Sequence, residues 1–438
     1  MTYRSILNII NGECLCGNLD TKFTGIFVTD SRKINPGDCF IAINNGQNYI
    51  NSAIELGANL IICNCDFYDN KITVFKVSDT KNILLSLANL VRTQNLNIPV
   101  IAITGSVGKT TTKELIYEIL TSKYRVLKNE GNKNNRIGMS ETLFSLNQNY
   151  DICVLEMGMN HLGEINELSV CALPDDVVIT NVGTSHIGYL KSKRNIFKAK
   201  CEILNGMRQG TLFINGDDKY LKKIRNTKIV RVGLNRSNDL IAFNIISTQH
   251  HVYFYINYNN KRYHIKFNIP NETLIPNILI AIAVGLKYEI SIEDIINRVE
   301  LYKSMNHRNQ IKEIKNTIII DDCYNASFES IVGGLALLKN YNKKKIIIIG
   351  DVLELGKYSK KIHKKIGKCL MKEEDMVILV GKEVKNIKGK NFIFKDDYTE
   401  VISYLDEVDI NHKIIYLKGS RKMRLEEIRN YIEKRLTE

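Results

Sequence analysis

The chain has 438 residues but no apolar run near the roughly 20 residues that a membrane-spanning helix requires. Its first ten residues lack the sustained apolar stretch and the small-residue cleavage site of a signal peptide. It has only five prolines, and neither an internal repeat nor a low-complexity linker is evident. These absences argue against export and stable membrane insertion, and they predict a cytoplasmic protein.

The ten cysteines include no C-x-x-C pair, which argues against the common zinc and redox motifs. Most of them lie in apolar runs, and the two C-x-C pairs are Cys14/Cys16 and Cys63/Cys65. Because alternate residues of a strand point the same way, each pair is predicted to share one strand face. We expect reduced, partly buried thiols.

The composition, 44% hydrophobic and 25% charged, is that of an ordinary globular protein, and the length suggests two to four domains. The net charge of +14 raises the question of nucleic-acid binding. However, the basic residues are spread along the chain, and a polyanionic small substrate explains the sign equally well. We expect no nucleic-acid partner and keep a basic nucleic-acid-binding NTPase as the less favoured alternative.

Short apolar strands alternate with helical patterns along most of the chain, with a β-hairpin at residues 250–269. Such alternation predicts crossover connections and parallel sheets. The predicted fold class is therefore α/β with three domains. These are a small N-terminal α/β domain at 1–80, a central P-loop-type parallel-sheet ATPase domain at 81–307, and a C-terminal Rossmann-like domain at 308–438.

A glycine-rich segment, Thr-Gly-Ser-Val-Gly-Lys-Thr-Thr at 104–111, lies between a predicted strand at 100–103 and a predicted helix at 111–120. Its backbone N–H groups and the helix N-terminus suit phosphate oxygens, Lys109 suits the β- and γ-phosphates, and the Thr110 hydroxyl suits Mg²⁺. The spacing predicts binding of a nucleoside triphosphate. The predicted ATP-binding residues here are Gly105, Ser106, Val107, Gly108, Lys109, Thr110 and Thr111.

Other polar residues follow predicted strands. Glu156 ends the strand at 152–155 and suits the metal partner of a phosphate loop. His186 follows the strand at 177–182 and is either a metal or phosphate ligand or an ordinary loop histidine. Polar clusters at 321–325, 350–356 and 418–421 end three later strands, which predicts a second crevice facing the nucleotide.

These motifs resemble those of the Mur ligases. The segments at 104–110, 132–138, 156–161, 181–186 and 199–202 match the family's motifs in order. Those at 322–326, 350–356 and 418–423 match the member that adds a dipeptide. The resemblance covers nearly the whole chain and is weakest in the first 80 residues.

The resemblance implies two Mg²⁺ sites and an ATP site. Thr110 and Glu156 would hold one Mg²⁺, and His186 the other together with Lys200, which is carbamylated in this family. The implied catalytic residues are Lys109, Glu156, His186 and Lys200. Further implied ATP contacts are Asn135, Asn277, Arg308 and Asp322. The implied substrate contacts are Asp30, Ser31, Arg32, Asn160, His161, Tyr324, Asn325, Ser420 and Arg421.

The implied activity is ATP-dependent ligation of D-alanyl-D-alanine to UDP-N-acetylmuramoyl-tripeptide through an acyl phosphate. It would serve peptidoglycan synthesis, and thereby cell shape and division, and we expect a monomer. Two segments depart from the family. The chain reads Tyr-Asn-Ala-Ser-Phe at 324–328 in place of Tyr-Asn-Ala-Asn-Pro, and the usual Asp-Gly-His before Tyr49 is missing. A related ligase with a different amino-acid or dipeptide acceptor is the alternative.

Overall fold

The computed structural model describes residues 1–225, 228–371 and 376–438. Three sheets, largely or wholly parallel, follow one another along the chain, with a small antiparallel sheet after the second. Among the described helices none could cross a bilayer, and the two longest have 13 residues.

The first sheet has the strand order β1-β5-β4-β3-β2, in which only β1 is antiparallel. Its elements are α1 (Tyr3–Ile10), β1 (Glu13–Cys16), β2 (Phe27–Val28), β3 (Cys39–Ile41), α2 (Ile50–Glu55), β4 (Leu60–Cys63) and β5 (Thr73–Lys76). The prediction that Cys63 and Cys65 share a strand face is wrong, because β4 ends at Cys63 and the chain then bends. All ten cysteines are free thiols, and five of them are buried.

The second sheet has seven parallel strands in the order β12-β11-β10-β9-β6-β8-β7. Its elements are α3 (Leu84–Gln94), β6 (Val100–Thr104), α4 (Lys109–Leu120), β7 (Val126–Lys128), α5 (Arg136–Phe144), β8 (Ile152–Glu156), α6 (Glu164–Ala172), β9 (Asp176–Ile179), α7 (Ile187–Leu190), α8 (Lys193–Cys201), β10 (Leu212–Asn215), β11 (Ile229–Gly233) and β12 (Leu240–Ile241).

A three-stranded antiparallel sheet follows, and it contains the predicted hairpin. Its strands are β13 (Phe243–Ser247), β14 (Val252–Tyr258) and β15 (Lys261–Phe267), and the helices α9 (Ile275–Lys287) and α10 (Ile292–Leu301) come next. Asn259 and Asn260 both have positive φ, as a tight two-residue hairpin turn requires. The helix α9 packs on α4 behind the second sheet.

The last sheet has the order β16-β17-β21-β18-β19-β20 and is parallel except for β16. Its elements are β16 (Gln310–Ile314), β17 (Thr317–Asp321), α11 (Phe328–Leu338), β18 (Lys345–Gly350), α12 (Ser359–Leu370), β19 (Met376–Val380), β20 (Phe392–Lys395), α13 (Tyr398–Asp406), β21 (Ile414–Lys418) and α14 (Leu425–Thr437). One continuous hydrophobic cluster runs through all three large sheets. The α/β architecture predicted from the sequence is confirmed.

Candidate functional site

A cleft of about 630 Å³ opens where the carboxyl ends of the second and last sheets face each other. Most of the predicted nucleotide-binding residues line it. The predicted site residues in its wall are Ser106, Val107, Gly108, Lys109, Thr110, Thr111, Asn135, Glu156, Asn160, His186, Asn277, Arg308, Asp322, Tyr324 and Asn325. The topology therefore brings residues far apart in the chain to one cavity.

The glycine-rich loop links β6 to α4, which begins at Lys109, two residues earlier than predicted. Gly108 precedes the first helical residue with φ +81°, a conformation that side chains rarely adopt. A Cβ atom on Gly108 would lie only 2.1 Å from Asn277 Nδ2. The loop thus needs glycine here. The first residues of α4, Lys109 to Thr111, line the cleft, where a helix N-terminus favours an anion.

The segment after β9 holds this loop in place. Asn181 Oδ1 accepts from Val107 N at 3.0 Å, and Asn181 Nδ2 and Thr180 Oγ1 donate to Val107 O at 2.9 and 2.7 Å. The strand predicted for residues 177–182 therefore stops at Ile179, because the next residues bond to the loop. Asn181 was not predicted as a site residue, although its amide on both backbone groups of Val107 fixes the loop's shape.

Lys109 follows the end of β6 by one loop, and Glu156 ends the neighbouring strand β8, in which it pairs with Ile103 of β6. Lys109 Nζ donates to Gly105 O at 3.0 Å. Burial lowers the pKa of Lys109, and the nearby Glu156 carboxylate partly offsets this. The two residues place a cation and an anion where phosphates and a metal would meet.

Glu156 is 2% exposed, and its two carboxylate oxygens differ in their hydrogen bonding. Asn134 Nδ2 donates to Oε1 at 2.8 Å, whereas the buried Oε2 has no hydrogen-bond partner in the part of the chain that the structure describes. Thr110, 2% exposed, adds a hydroxyl to the same cleft. A buried carboxylate oxygen without a partner and a hydroxyl form the oxygen donor set that Mg²⁺ prefers, so these residues fit a Mg²⁺ ion.

Lys200 lies on α8 and is 1% exposed. Burial, together with the charge of Lys109, lowers its pKa well below the usual value. Within residues 1–225, 228–371 and 376–438 its ammonium has no hydrogen bond or ion pair. Apart from the family motif at 199–202, no sequence signal distinguished it from a solvated lysine. As an amine it suits Mg²⁺ poorly, whereas a carbamate on Nζ would supply the oxygen ligands that the ion prefers.

His186 precedes α7 with φ +60°, and its Nδ1 lies 2.6 Å from Glu354 Oε2 of the last sheet's loops. The close contact with His186 lowers the pKa of Glu354. The carboxylate and the histidine thus meet across the boundary between two sheets.

Asp322 and Lys418 form a buried ion pair on the opposite wall, with Nζ 2.6 Å from Oδ2. Burial raises the pKa of Asp322, and Lys418 opposes that shift. The Arg308 guanidinium lies 4.1 Å from the centre of the Tyr324 ring. This wall presents a fixed cation and an aromatic ring to the cleft.

A hydrogen-bonded group lies directly behind Arg308 and Asp322. His307 Nδ1 lies 2.7 Å from Asp321 Oδ2, and Cys323 Sγ donates to Asp321 Oδ1 at 2.9 Å. These bonds hold His307 and Cys323 beside Asp321, and these residues are the chain neighbours of Arg308 and Asp322. The group therefore fixes where the chain crosses from the second sheet to the last.

Several predicted residues lie outside the cleft wall. Gly105 is in the loop beneath it, and Lys200 is buried. Among the predicted substrate residues, those outside the wall are Asp30, Ser31, Arg32, His161, Ser420 and Arg421. The exposed His161 ring lies 5.0 Å from that of Tyr189. The Asp30 carboxylate binds the Arg32 guanidinium with both oxygens, at 2.9 and 2.8 Å.

Comparison with known proteins accounts for these features together. The family model described as "Mur ligase middle domain" matches residues 103–285, and the model described as "Mur ligase, glutamate ligase domain" matches residues 307–421. The UDP-N-acetylmuramoyl-tripeptide–D-alanyl-D-alanine ligase of Bacillus subtilis is 33% identical, with 98% of this chain and 97% of the relative covered. The chain belongs to the Mur ligase family.

Solved structures agree. MurF from Acinetobacter baumannii superposes with a TM-score of 0.90 and 26% identity, covering 100% of this Mur ligase and 99% of that chain. MurF ligase from Thermotoga maritima, in complex with ADP, gives a TM-score of 0.85 and 27% identity, covering 95% and 98%. The sequence-based assignment to this family is confirmed.

The departure at 324–328 leaves the start of α11 intact in this Mur ligase. Ser327 is the N-cap, its hydroxyl accepting from Ser330 N, and the Ser330 hydroxyl accepts in turn from Ser327 N. Phe328 is the first helical residue. Asparagine followed by proline, as in the family's usual motif, suits the same two positions, so serine and phenylalanine preserve the turn with a different cap.

The loop after β18, residues 350–358, carries Glu354 and is held from inside the last sheet. Leu353 N donates to Ser420 Oγ at 2.9 Å, and Val352 N donates to the buried His363 Nε2 at 3.2 Å. His363 Nδ1 lies 3.0 Å from Ser359 O. Because Nε2 must accept a hydrogen bond, His363 has to be neutral for the loop to keep this shape.

Burial depresses the pKa of His363, although Ser359 O, Asp351 and Glu383 act in the opposite direction. The unfolded chain therefore binds the proton first as pH falls below the ordinary histidine value of about 6.5, and folding stability declines until the folded-state pKa is reached. We expect wild-type protein to lose more thermal stability than His363→Gln between about pH 7 and pH 5. Parallel thermal melts of the two proteins check this; equal pH dependence would contradict it.

Proposed function

We propose that this Mur ligase joins D-alanyl-D-alanine to UDP-N-acetylmuramoyl-tripeptide and cleaves ATP to do so. The observation that carries the proposal is one cleft in which the phosphate loop meets the motif at 322–326 and Lys418. The motif at 350–356 reaches this cleft through Glu354, whose Oε2 lies 2.6 Å from Nδ1 of the lining residue His186. Relatives with that ligase name match over nearly the whole chain, among them the Escherichia coli protein at 28% identity, with 98% of this chain covered.

In this proposal residues 1–80 bind the UDP-sugar, 81–307 bind ATP and 308–438 bind the dipeptide. The Asp30–Arg32 turn supports the first assignment, because Thr29 Oγ1 donates to Glu141 Oε1 of α5 and Lys133 pairs with the same carboxylate. The neighbouring loop at 132–135 enters the cleft wall. The turn is thereby connected to the nucleotide side of the cleft.

The proposed first step is attack of the tripeptide's terminal carboxylate on the γ-phosphorus of ATP, with ADP as leaving group. Lys109 and the N–H groups at the start of α4 stabilise the charge on the transferring phosphoryl group. Arg308, from the opposite wall, adds a second cation to the nucleotide. The product of this step is an acyl phosphate on the tripeptide.

Two Mg²⁺ ions complete the proposed site. Thr110 and Glu156 would hold one, and His186 with carbamylated Lys200 the other. When bound, Mg²⁺ neutralises negative charge on the phosphate oxygens.

In the second step the dipeptide's free amine attacks the acyl carbon, and the tetrahedral intermediate collapses to the amide and phosphate. Water would destroy the acyl phosphate, so the two facing sheets must exclude it. The contact of Glu354 with His186 and of Glu329 with Thr184 brings the walls together for this purpose.

The test is phosphate release with ATP, Mg²⁺, the UDP-sugar tripeptide and D-alanyl-D-alanine, each omitted in turn. We expect release only with all four, together with the pentapeptide product in the mass spectrum. Release that requires a different amino acid or dipeptide would establish the alternative ligase. Release that ignores every acceptor would contradict ligation and leave only an NTPase.

A further inference from the structure

A short segment of the second sheet's loops makes several contacts with the last sheet. The segment, residues 183–193, contains His186 and ends at the first residue of α8. Gly188 N donates to Glu354 O at 3.0 Å, and the Tyr358 hydroxyl donates to Lys191 O. The 350–358 loop therefore contacts both the backbone and the histidine side chain of this segment.

The contact leaves no room for side chains at its centre. A Cβ on Gly188 would lie 2.6 Å from Glu354 O and 2.7 Å from Gly356 N. A Cβ on Gly356 would lie 3.1 Å from Gly188 Cα. Two glycines facing each other allow the backbones to approach closely, which places Glu354 within reach of His186.

The backbone at Glu354 itself is unusual. Its φ of +62° is in the left-handed region, which is unfavourable for a residue with a side chain. The surrounding loop bonds to Ser420 and His363 hold it there. Such a conformation at a carboxylate that contacts a predicted metal ligand indicates a constraint on where the side chain points.

A second acidic residue of the last sheet anchors the same segment independently. Glu329 Oε2, on α11, accepts from Thr184 N at 3.0 Å and from Thr184 Oγ1 at 2.7 Å. Lys193 Nζ lies 3.2 Å from Glu329 Oε1. Glu329 thus holds the segment's backbone, whereas the Glu354 carboxylate contacts the imidazole of His186.

We propose that Glu354 is a positioning residue whose carboxylate, 2.6 Å from His186 Nδ1, orients the imidazole and so leaves Nε2 for the second metal ion. The inference rests on the proposed function, which places that metal at His186. A carboxylate on the outer nitrogen fixes the tautomer and ring orientation of a metal-binding histidine. Because Glu354 comes from the last sheet, the second metal site is complete only when the two sheets are in contact.

The test counts Mn²⁺ bound by the full chain with a non-hydrolysable ATP analogue, using electron paramagnetic resonance. We expect two ions in the wild type and, in Glu354→Ala, one of them bound about 10- to 100-fold more weakly. Glu354→Gln keeps an acceptor for the Nδ1 proton and should restore most of that affinity. The KM for Mg²⁺ in the ligase assay should follow the same order.

Glu407→Gln is the matched control, since Glu407 is an exposed glutamate that follows α13 and does not line the cleft. Thermal melts of all variants separate loss of metal from loss of fold. Two tightly bound ions in Glu354→Ala, or a single ion in the wild type, would overturn the role of Glu354. Wild-type protein that binds two ions but does not ligate would contradict the proposed function alone.

Discussion

A Lys109→Met variant is expected to release phosphate with a kcat lower than that of the wild type by on the order of 10³-fold. Lys109 is the cation of the phosphate loop, and its Nζ lies 3.0 Å from Gly105 O. Methionine keeps the length and apolar contacts of the side chain but removes the charge that would stabilise the transferring phosphoryl group. Steady-state phosphate release at saturating substrates measures the loss.

Lys81→Met is the control, because Lys81 is an exposed lysine away from the cleft wall. It should leave both kcat and thermal stability unchanged. A Lys109→Met protein that melts like the wild type and keeps a near-normal kcat would contradict the proposed role of the cation.

A Lys200→Arg variant is expected to lose about 100-fold or more in kcat. Burial and the charge of Lys109 lower the pKa of Lys200, which favours the neutral amine that reacts with CO₂. Arginine keeps a cation at this position but cannot form the carbamate. The direct measurement is ¹³C nuclear magnetic resonance in labelled bicarbonate, which should show a carbamate carbon in the wild type and none in Lys200→Arg.

Lys198→Arg provides the matched comparison, since Lys198 lies on the same helix two residues earlier and is exposed. It should keep both the carbamate signal and the activity. A wild-type protein without the signal, but with full ligase activity in labelled bicarbonate, would show that Lys200 acts as a free amine.

Much of the fold follows from local pattern. The unit of β6, the glycine-rich loop and α4 was predicted because an apolar run, a glycine-rich segment and a helical periodicity follow one another directly in the sequence. The hairpin of β14 and β15 was predicted from its period of two. The strand predicted for 177–182 ends early, at Ile179, because the following residues bond to a loop some 70 positions away, at Val107.

The sequence by itself determined the α/β class, the phosphate loop and the identity of the residues that follow each strand, since these depend on neighbouring residues. Only the tertiary structure decided which of them meet. Among the residues that the structure describes, it buried Lys200 without a hydrogen-bond or ion-pair partner and left Glu156 Oε2 without a hydrogen bond. It also brought Glu354 within 2.6 Å of His186 across 168 positions of chain. Burial and long-range contact depend on how three sheets pack together, and no local pattern encodes that.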